Sequence, residues 1–177
     1  MHIEYEVKIL EIDAEKFKKK IENLGAKLIG KFEQKRYTYD FNPITKGKWI
    51  RLRTNGYKTT LAIKHVKNYS INRTKELEVE VSNFEETNEI LEILGYEYRN
   101  YQENNRIQYR LDDVEINIDS WPLIPTYAEI EGKSEDAVKK CLKLLDIDTD
   151  RVISMDLVSI YNKKYGINII DMETLKF

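Results

Sequence analysis

The chain has 177 residues, 41% of them apolar, which suffices for one hydrophobic core and predicts a single domain over residues 1–177. Its 29 basic and 31 acidic side chains nearly cancel to a net charge of -2, and with a pI near 5.9 this argues against a general nucleic-acid binder, which carries a basic surplus. One cysteine, no leader-like segment and no long apolar run predict a soluble, reduced, cytoplasmic protein with no membrane partner.

His2-Ile3-Glu4-Tyr5-Glu6-Val7-Lys8 alternates with period two, a strand signature that projects Glu4, Glu6 and Lys8 from one face and Ile3, Tyr5, Val7 and Ile9 from the other. Two carboxylates about 7 Å apart repel by about 2 kcal/mol at an effective dielectric near ~20. Either this strand holds a cation or its polar face is simply solvated; other strands must decide. Asp13 caps a predicted helix through Phe17, Ile21 and Leu24 that stops at Gly25, with Lys18, Lys19 and Lys20 on its wet side.

Asn55-Gly56 marks a hairpin. Set as a two-residue turn, it pairs Arg53 with Lys58, Arg51 with Thr60 and Trp49 with Ala62. Arg51, Arg53, Lys58 and Lys64 then share a basic face, and Ile50, Leu52, Leu61 and Ile63 an apolar one. Like charges facing each other across a ladder are destabilising unless an anion relieves them. Glu76-Leu77-Glu78-Val79-Glu80-Val81 repeats the split with carboxylates, and Asn83 caps a second helix through Ile90, Leu91 and Leu94 to Gly95. The order strand, helix ending in Leu-Gly, strand thus occurs twice and suggests two similar halves of one sheet.

A second hairpin, turning at Asp112-Asp113, pairs Arg110 with Glu115 and Arg106 with Asp119. Arg106, Gln108, Arg110, Glu115, Asn117 and Asp119 share its polar face, and Ile107, Tyr109, Leu111, Ile116 and Ile118 its apolar one. Ser120 to Pro125 reads as a rigid connection to the alternating strand Tyr127 to Glu131. Trp49 and Trp121 border polar strands and are expected to pack in the core; the 12 tyrosines are expected at outward strand positions. Ser134 caps a third helix ending near Asp146, with Cys141 on its apolar stripe, and a fourth runs from about Ser154 to Tyr165 and ends at Gly166. His2 and His65 stand apart and support neither a zinc site nor a catalytic triad.

An open sheet covered by helices on one face would also alternate, but its free face would mix Thr, Ser and Gln with charges. Here the polar faces are nearly all Glu, Asp, Arg and Lys, with acids on some strands and bases on others. Closing the sheet removes its edges and encloses that face. The expected fold is therefore α+β: a closed antiparallel barrel of about eight strands forming a charged tunnel, with helices packed outside. Carboxylates without His or Cys favour Mg²⁺ or Mn²⁺, and Arg and Lys match phosphate oxygens, so the lining suits a metal-complexed triphosphate. No Gly-x-x-x-x-Gly-Lys-Ser/Thr loop is present.

Glu4-x-Glu6-x-Lys8, Arg51-x-Arg53 with Lys64, Glu76 and Glu78, Arg106 or Arg110, Asp119, and Glu129-x-Glu131 follow one another along nearly the whole chain. This series resembles the CYTH superfamily of triphosphate tunnel metalloenzymes, which includes class IV adenylyl cyclases, thiamine triphosphatases and inorganic triphosphatases. The resemblance implies that Glu4, Glu6, Asp119, Glu129 and Glu131 hold one or two Mg²⁺ or Mn²⁺ ions. It implies that Lys8, Arg51, Arg53, Lys64 and an arginine of the 106/110 pair bind the phosphates beside Glu76 and Glu78, with Glu4, Glu6 and Lys8 catalytic. Lys163 or Lys164 could supply the C-terminal lysine that reaches the tunnel in some members. The expected function is metal-dependent hydrolysis of ATP, thiamine triphosphate or tripolyphosphate by a monomer or homodimer. The alternatives are an adenylyl cyclase making cyclic AMP and pyrophosphate, and a protein that binds triphosphate or polyphosphate without turnover.

Overall fold

Eight strands each turn one polar side to a single enclosed space. The computed structural model describes residues 2–66 and 74–177, apart from the His2 side chain. The strands are β1 (His2–Ile9), β2 (Lys27–Asp40), β3 (Lys48–Thr54), β4 (Thr59–Val66), β5 (Thr74–Val81), β6 (Tyr98–Leu111), β7 (Val114–Ser120) and β8 (Tyr127–Gly132). They pair antiparallel in the order β2-β3-β4-β5-β1-β8-β7-β6, and β6 pairs back onto β2, closing the barrel. The short β9 (Thr174–Leu175) adds parallel to β6. Exchanging β1 to β4 with β5 to β8 leaves this set of pairings unchanged, so the two halves suggested by the sequence are present in the topology.

Four helices pack outside. In α1 (Ala14–Asn23), α2 (Phe84–Ile93) and α3 (Glu135–Leu144), the side chains of Asp13, Asn83 and Ser134 accept from the backbone N–H three residues on, as expected of N-caps. The fourth helix, α4 (Leu157–Tyr165), starts later than expected. Asp156 is its cap, accepting from Ser159 N at 2.8 Å, and Gly166 at φ 68 closes it.

The apolar strand faces point outward beneath these helices. Val7, Ile9, Ile116, Ile118, Ala128 and Ile130 meet Phe17 and Ile21 of α1 and Val138, Cys141 and Leu142 of α3. Burial pushes the Cys141 thiol up to about 12, which leaves it an inert core residue. Tyr39, Ile50 and Leu52 meet Phe84 and Leu91 of α2, and Tyr37 stacks on Phe84 with ring centroids 5.1 Å apart. A third cluster joins Trp121 and Tyr127 to Tyr161, Ile169 and Leu175. Among the described residues no helix is long and apolar enough to cross a membrane.

The hairpins test the expected registers. The Asp112-Asp113 turn pairs Arg110 with Glu115 and Arg106 with Asp119 as expected, with Asp112 at φ 49. The Asn55-Gly56 hairpin is shifted by two residues: Arg53 faces Thr60, Arg51 faces Ala62 and Trp49 faces Lys64. The cause is the Asn55 side chain, whose Oδ1 accepts from Tyr57 N and Lys58 N and builds a four-residue loop in which Gly56 alone takes positive φ. A shift of two preserves the faces, so the basic and apolar sides stand. The opposition of Arg53 and Lys58 does not.

Ile130 is fully buried beneath α3. Ile130→Ala is expected to lower the unfolding free energy by about 3 kcal/mol, read by denaturant titration. A loss below about 1 kcal/mol would mean that this outward face is not core.

Candidate active site in the barrel lumen

The lumen is a cavity of about 1330 Å³ whose lining draws on all eight barrel strands. Glu4, Glu6 and Lys8 reach it from β1, Arg51 and Arg53 from β3, Lys64 from β4, Glu76 and Glu78 from β5, Arg106 from β6, and Glu129 and Glu131 from β8. Asp119, on the lumen side of β7, is completely buried against Arg106.

Two chains of ion pairs organise these charges. In one, Lys8 Nζ lies 3.1 Å from Glu6 and 3.0 Å from Glu129, and Arg106 Nη2 lies 3.1 Å from Glu129. Arg106 also grips Asp119 with two bonds, of 2.8 Å through Nε and 2.6 Å through Nη2. In the other, Arg51 Nη2 lies 2.8 Å from both Glu76 and Glu78, and Arg53 approaches Glu78 at 3.4 Å. Lys64 lies 3.1 Å from Glu4 and 3.4 Å from Glu76.

Proton affinities follow from this wiring. Burial, followed by the hydrogen bond and charge of Glu76, pushes Glu4 up to about 8 against the pull of Lys64. Burial also penalises Glu76, but the same bond with Glu4 and the charges of Arg51, Lys64 and Arg53 outweigh it and hold Glu76 at about 2. The two carboxyls are thus pushed in opposite directions, Glu4 up and Glu76 down. Against a similar burial penalty, Lys8 and Arg106 hold Glu129 well below the usual carboxylate range. Glu131 goes the other way, to about 7, through burial and then the charges of Glu129, Glu6 and Glu115.

Among the described residues no three His, Cys, Asp or Glu side chains stand ready-made as a metal site. The chemistry of the donors nevertheless fits a hard divalent cation. Glu6, Glu131 and Glu115 are ladder neighbours on β1, β8 and β7, all oxygen donors, and the raised Glu131 reflects crowded negative charge that such a cation would relieve.

Other expected residues lie elsewhere. Arg110 is exposed beyond the lumen, 4.0 Å from Glu115, whereas Arg106 is inside, so the structure separates that pair. Lys58 stands at the mouth, 3.0 Å from Glu80. Lys163 and Lys164 are exposed on α4 and do not line the lumen. Trp121 packs in the third core cluster as expected while one part of it lines the lumen, whereas Trp49 lines the lumen and, among the described residues, joins no core cluster, so the expectation of core packing is corrected for Trp49.

One wall was missed in the sequence. Gln34, Arg36 and Thr38 of β2 face Asn104, Gln102 and Asn100 of β6 across the closing seam. The alternation Gln34-Lys35-Arg36-Tyr37-Thr38-Tyr39 carries the signal, but exposed Glu33 and Lys35 place charge on the outer side too and hide the period.

The chain belongs to the CYTH domain family, whose description matches residues 2–149. Among solved structures it is similar to a conserved hypothetical protein from Pyrococcus furiosus, at 20% identity and TM-score 0.74, covering 87% of this chain and 97% of that one. A proposed adenylate cyclase from Vibrio parahaemolyticus superposes with TM-score 0.77 at 14% identity, covering 91% and 98%. A proposed adenylyl cyclase from Hippeastrum, described as having a dominant triphosphatase activity, superposes with TM-score 0.61 at 14% identity, covering 94% and 96%. Identities this low establish a shared fold. No curated protein matches the chain.

The ion-pair wiring predicts opposite effects of two neutralising substitutions in metal-free protein. Lys8→Gln removes the cation shared by Glu6 and Glu129 and is expected to cost about 3 kcal/mol. Glu131→Gln removes a crowded charge and is expected to leave the melting temperature unchanged or higher. Thermal unfolding in EDTA compares them, and a larger loss for Glu131→Gln would contradict this electrostatic reading.

Proposed function

We propose that the protein is a divalent-metal-dependent hydrolase of a triphosphate bound in the barrel lumen. The observation that carries the reading is that arginines and lysines paired with carboxylates together line one space of about 1330 Å³. A purely anion-binding lumen would gain nothing from carboxylates that repel its ligand. The residues after 149, beyond the family match, contribute Asp156, Leu157, Val158 and Ile170 to the lumen, which supports treating the chain as one domain.

Glu6, Glu129 and Glu131 would hold the cation, Mg²⁺ or Mn²⁺, with Glu4 and Asp119 close by as the remaining acidic candidates. When bound, that cation neutralises phosphate charge and polarises the phosphorus–oxygen bond under attack. Arg51, Arg53, Lys64 and Arg106 exchange their internal carboxylate partners for phosphate oxygens, which fixes the chain of phosphates and stabilises charge as it develops. Glu4 or Glu6 accepts a hydrogen bond from the attacking water and takes its proton as the oxygen–phosphorus bond forms. Lys8 donates toward the departing phosphate oxygen. The enclosing barrel limits competing water.

With Mg²⁺ or Mn²⁺, tripolyphosphate and ATP should both release orthophosphate, with no cyclic AMP from ATP. Glu129→Gln should lower turnover at least ~100-fold while folding is retained. Cyclic AMP and pyrophosphate in equal amounts from ATP, with tripolyphosphate left intact, would replace hydrolysis with cyclisation. Binding of tripolyphosphate with no turnover under either metal would leave a binding protein.

A further inference from the structure

Arg36 differs from the other lumen arginines. Arg51, Arg53 and Arg106 each have a carboxylate within ion-pair distance, at 2.8, 3.4 and 2.6 Å respectively. Arg36 is 8% exposed and, among the described residues, has none. Its Nη2 donates to neutral amides, to Gln34 Oε1 at 2.9 Å and to Asn104 Oδ1, and its Nε is buried without a partner. The guanidinium carbon lies 4.6 Å from the centre of the Trp121 ring, and the Trp121 indole N–H is also buried without a partner. Arg36 and Trp121 both line the lumen, so the guanidinium and the ring it stacks on form one surface of that space.

The ladder sharpens the point. Arg36 is directly opposite Arg53 on β3, so two guanidiniums face each other on the lumen side. This is the like-charge opposition that an anion relieves. Burial, followed by the charges of Arg53, Arg51 and Arg106, depresses the proton affinity of Arg36 and marks the same surplus of positive charge.

The geometry points to Arg36 and Trp121, together with Arg53, as an oxyanion pocket in the β2–β6 wall that takes a phosphate group of the substrate without the help of a metal ion. The proposal deepens the triphosphate reading and rests on it for the identity of the ligand. Its chemistry is separate. On this wall Arg36 bonds directly to amides, and the carboxylate that acts on it, Asp119, lies beyond ion-pair distance and is gripped by Arg106. The indole covers one face of Arg36 and holds the fork in place, and the bound phosphate bridges it to Arg53. One end of the phosphate chain is then fixed by arginines, leaving the other beside the β1 and β8 carboxylates.

The test is tripolyphosphate binding in EDTA, by calorimetry, to wild type, Arg36→Gln, Arg36→Lys and the exposed control Arg151→Gln. Wild type and the control should bind alike. Arg36→Gln should bind at least ~10-fold more weakly and melt no lower than wild type without ligand, because an unpaired buried charge has been removed. Arg36→Lys keeps the charge but loses the fork and stacking surface. It should bind about fivefold more weakly, and it serves the comparison if the glutamine variant misfolds. Undiminished affinity in both variants, or no metal-free binding by wild type, would overturn the pocket. Turnover by wild type with metal is measured separately. A wild type that hydrolyses nothing but shows Arg36-dependent binding would sink the hydrolase reading and keep the pocket.

Discussion

Charge removed from water is the constraint on which this structure depends. Closing an eight-stranded sheet encloses the polar side of every strand, and an isolated buried ion is costly unless another ion or a ligand compensates it. The fold meets that demand by setting acids against bases on nearby strands: Lys8 of β1 against Glu129 of the adjacent β8, and Arg51 of β3 against Glu76 and Glu78 of β5, two strands away. The compensation is incomplete at two places. Glu131 retains a crowd of negative neighbours, and Arg36 a crowd of positive ones. A ligand bearing both a cation and an anion satisfies both excesses at once, and neither half of such a ligand does so alone.

The outer architecture serves that interior. Helices cover the apolar strand faces, so stability comes from the outside of the barrel, where Ile116, Ile130, Leu52 and their helical partners are buried. The lumen is thereby released from packing and can be lined by side chains that would be intolerable in a core. The near two-fold pattern of strand pairing brings β1 and β5 together at the barrel wall. Their acids Glu4 and Glu76 meet there on the ammonium of Lys64.

Much of this was legible in the sequence because period two is robust. The face of a residue depends on parity alone, so the Asn55 loop could be misjudged by two residues and Arg51, Arg53 and Lys64 still point inward. The Asp112 turn was placed correctly, and its partners Arg106 and Asp119 came with it. Parity does not measure depth, however. Arg110 shares its face with Arg106 yet lies beyond the lumen, because strand ends pass the rim. The β2–β6 seam was hidden for a different reason. Its outer side carries Glu33, Lys35 and Glu103, and a strand that is polar on both faces has no visible alternation. An aromatic beside a polar strand reads as core, which holds for Trp121, buried in the third cluster while stacking on Arg36, but not for Trp49, which lines the lumen.

The central claim is that the lumen is filled by a metal-complexed polyphosphate. The chain has 2 tryptophans, and both line that space. Their fluorescence, titrated with tripolyphosphate in the presence of Mg²⁺ or Mn²⁺, therefore reports directly on occupancy. A saturable change fitting one ligand per chain is the predicted result. An unaltered spectrum at millimolar concentrations of both would contradict it.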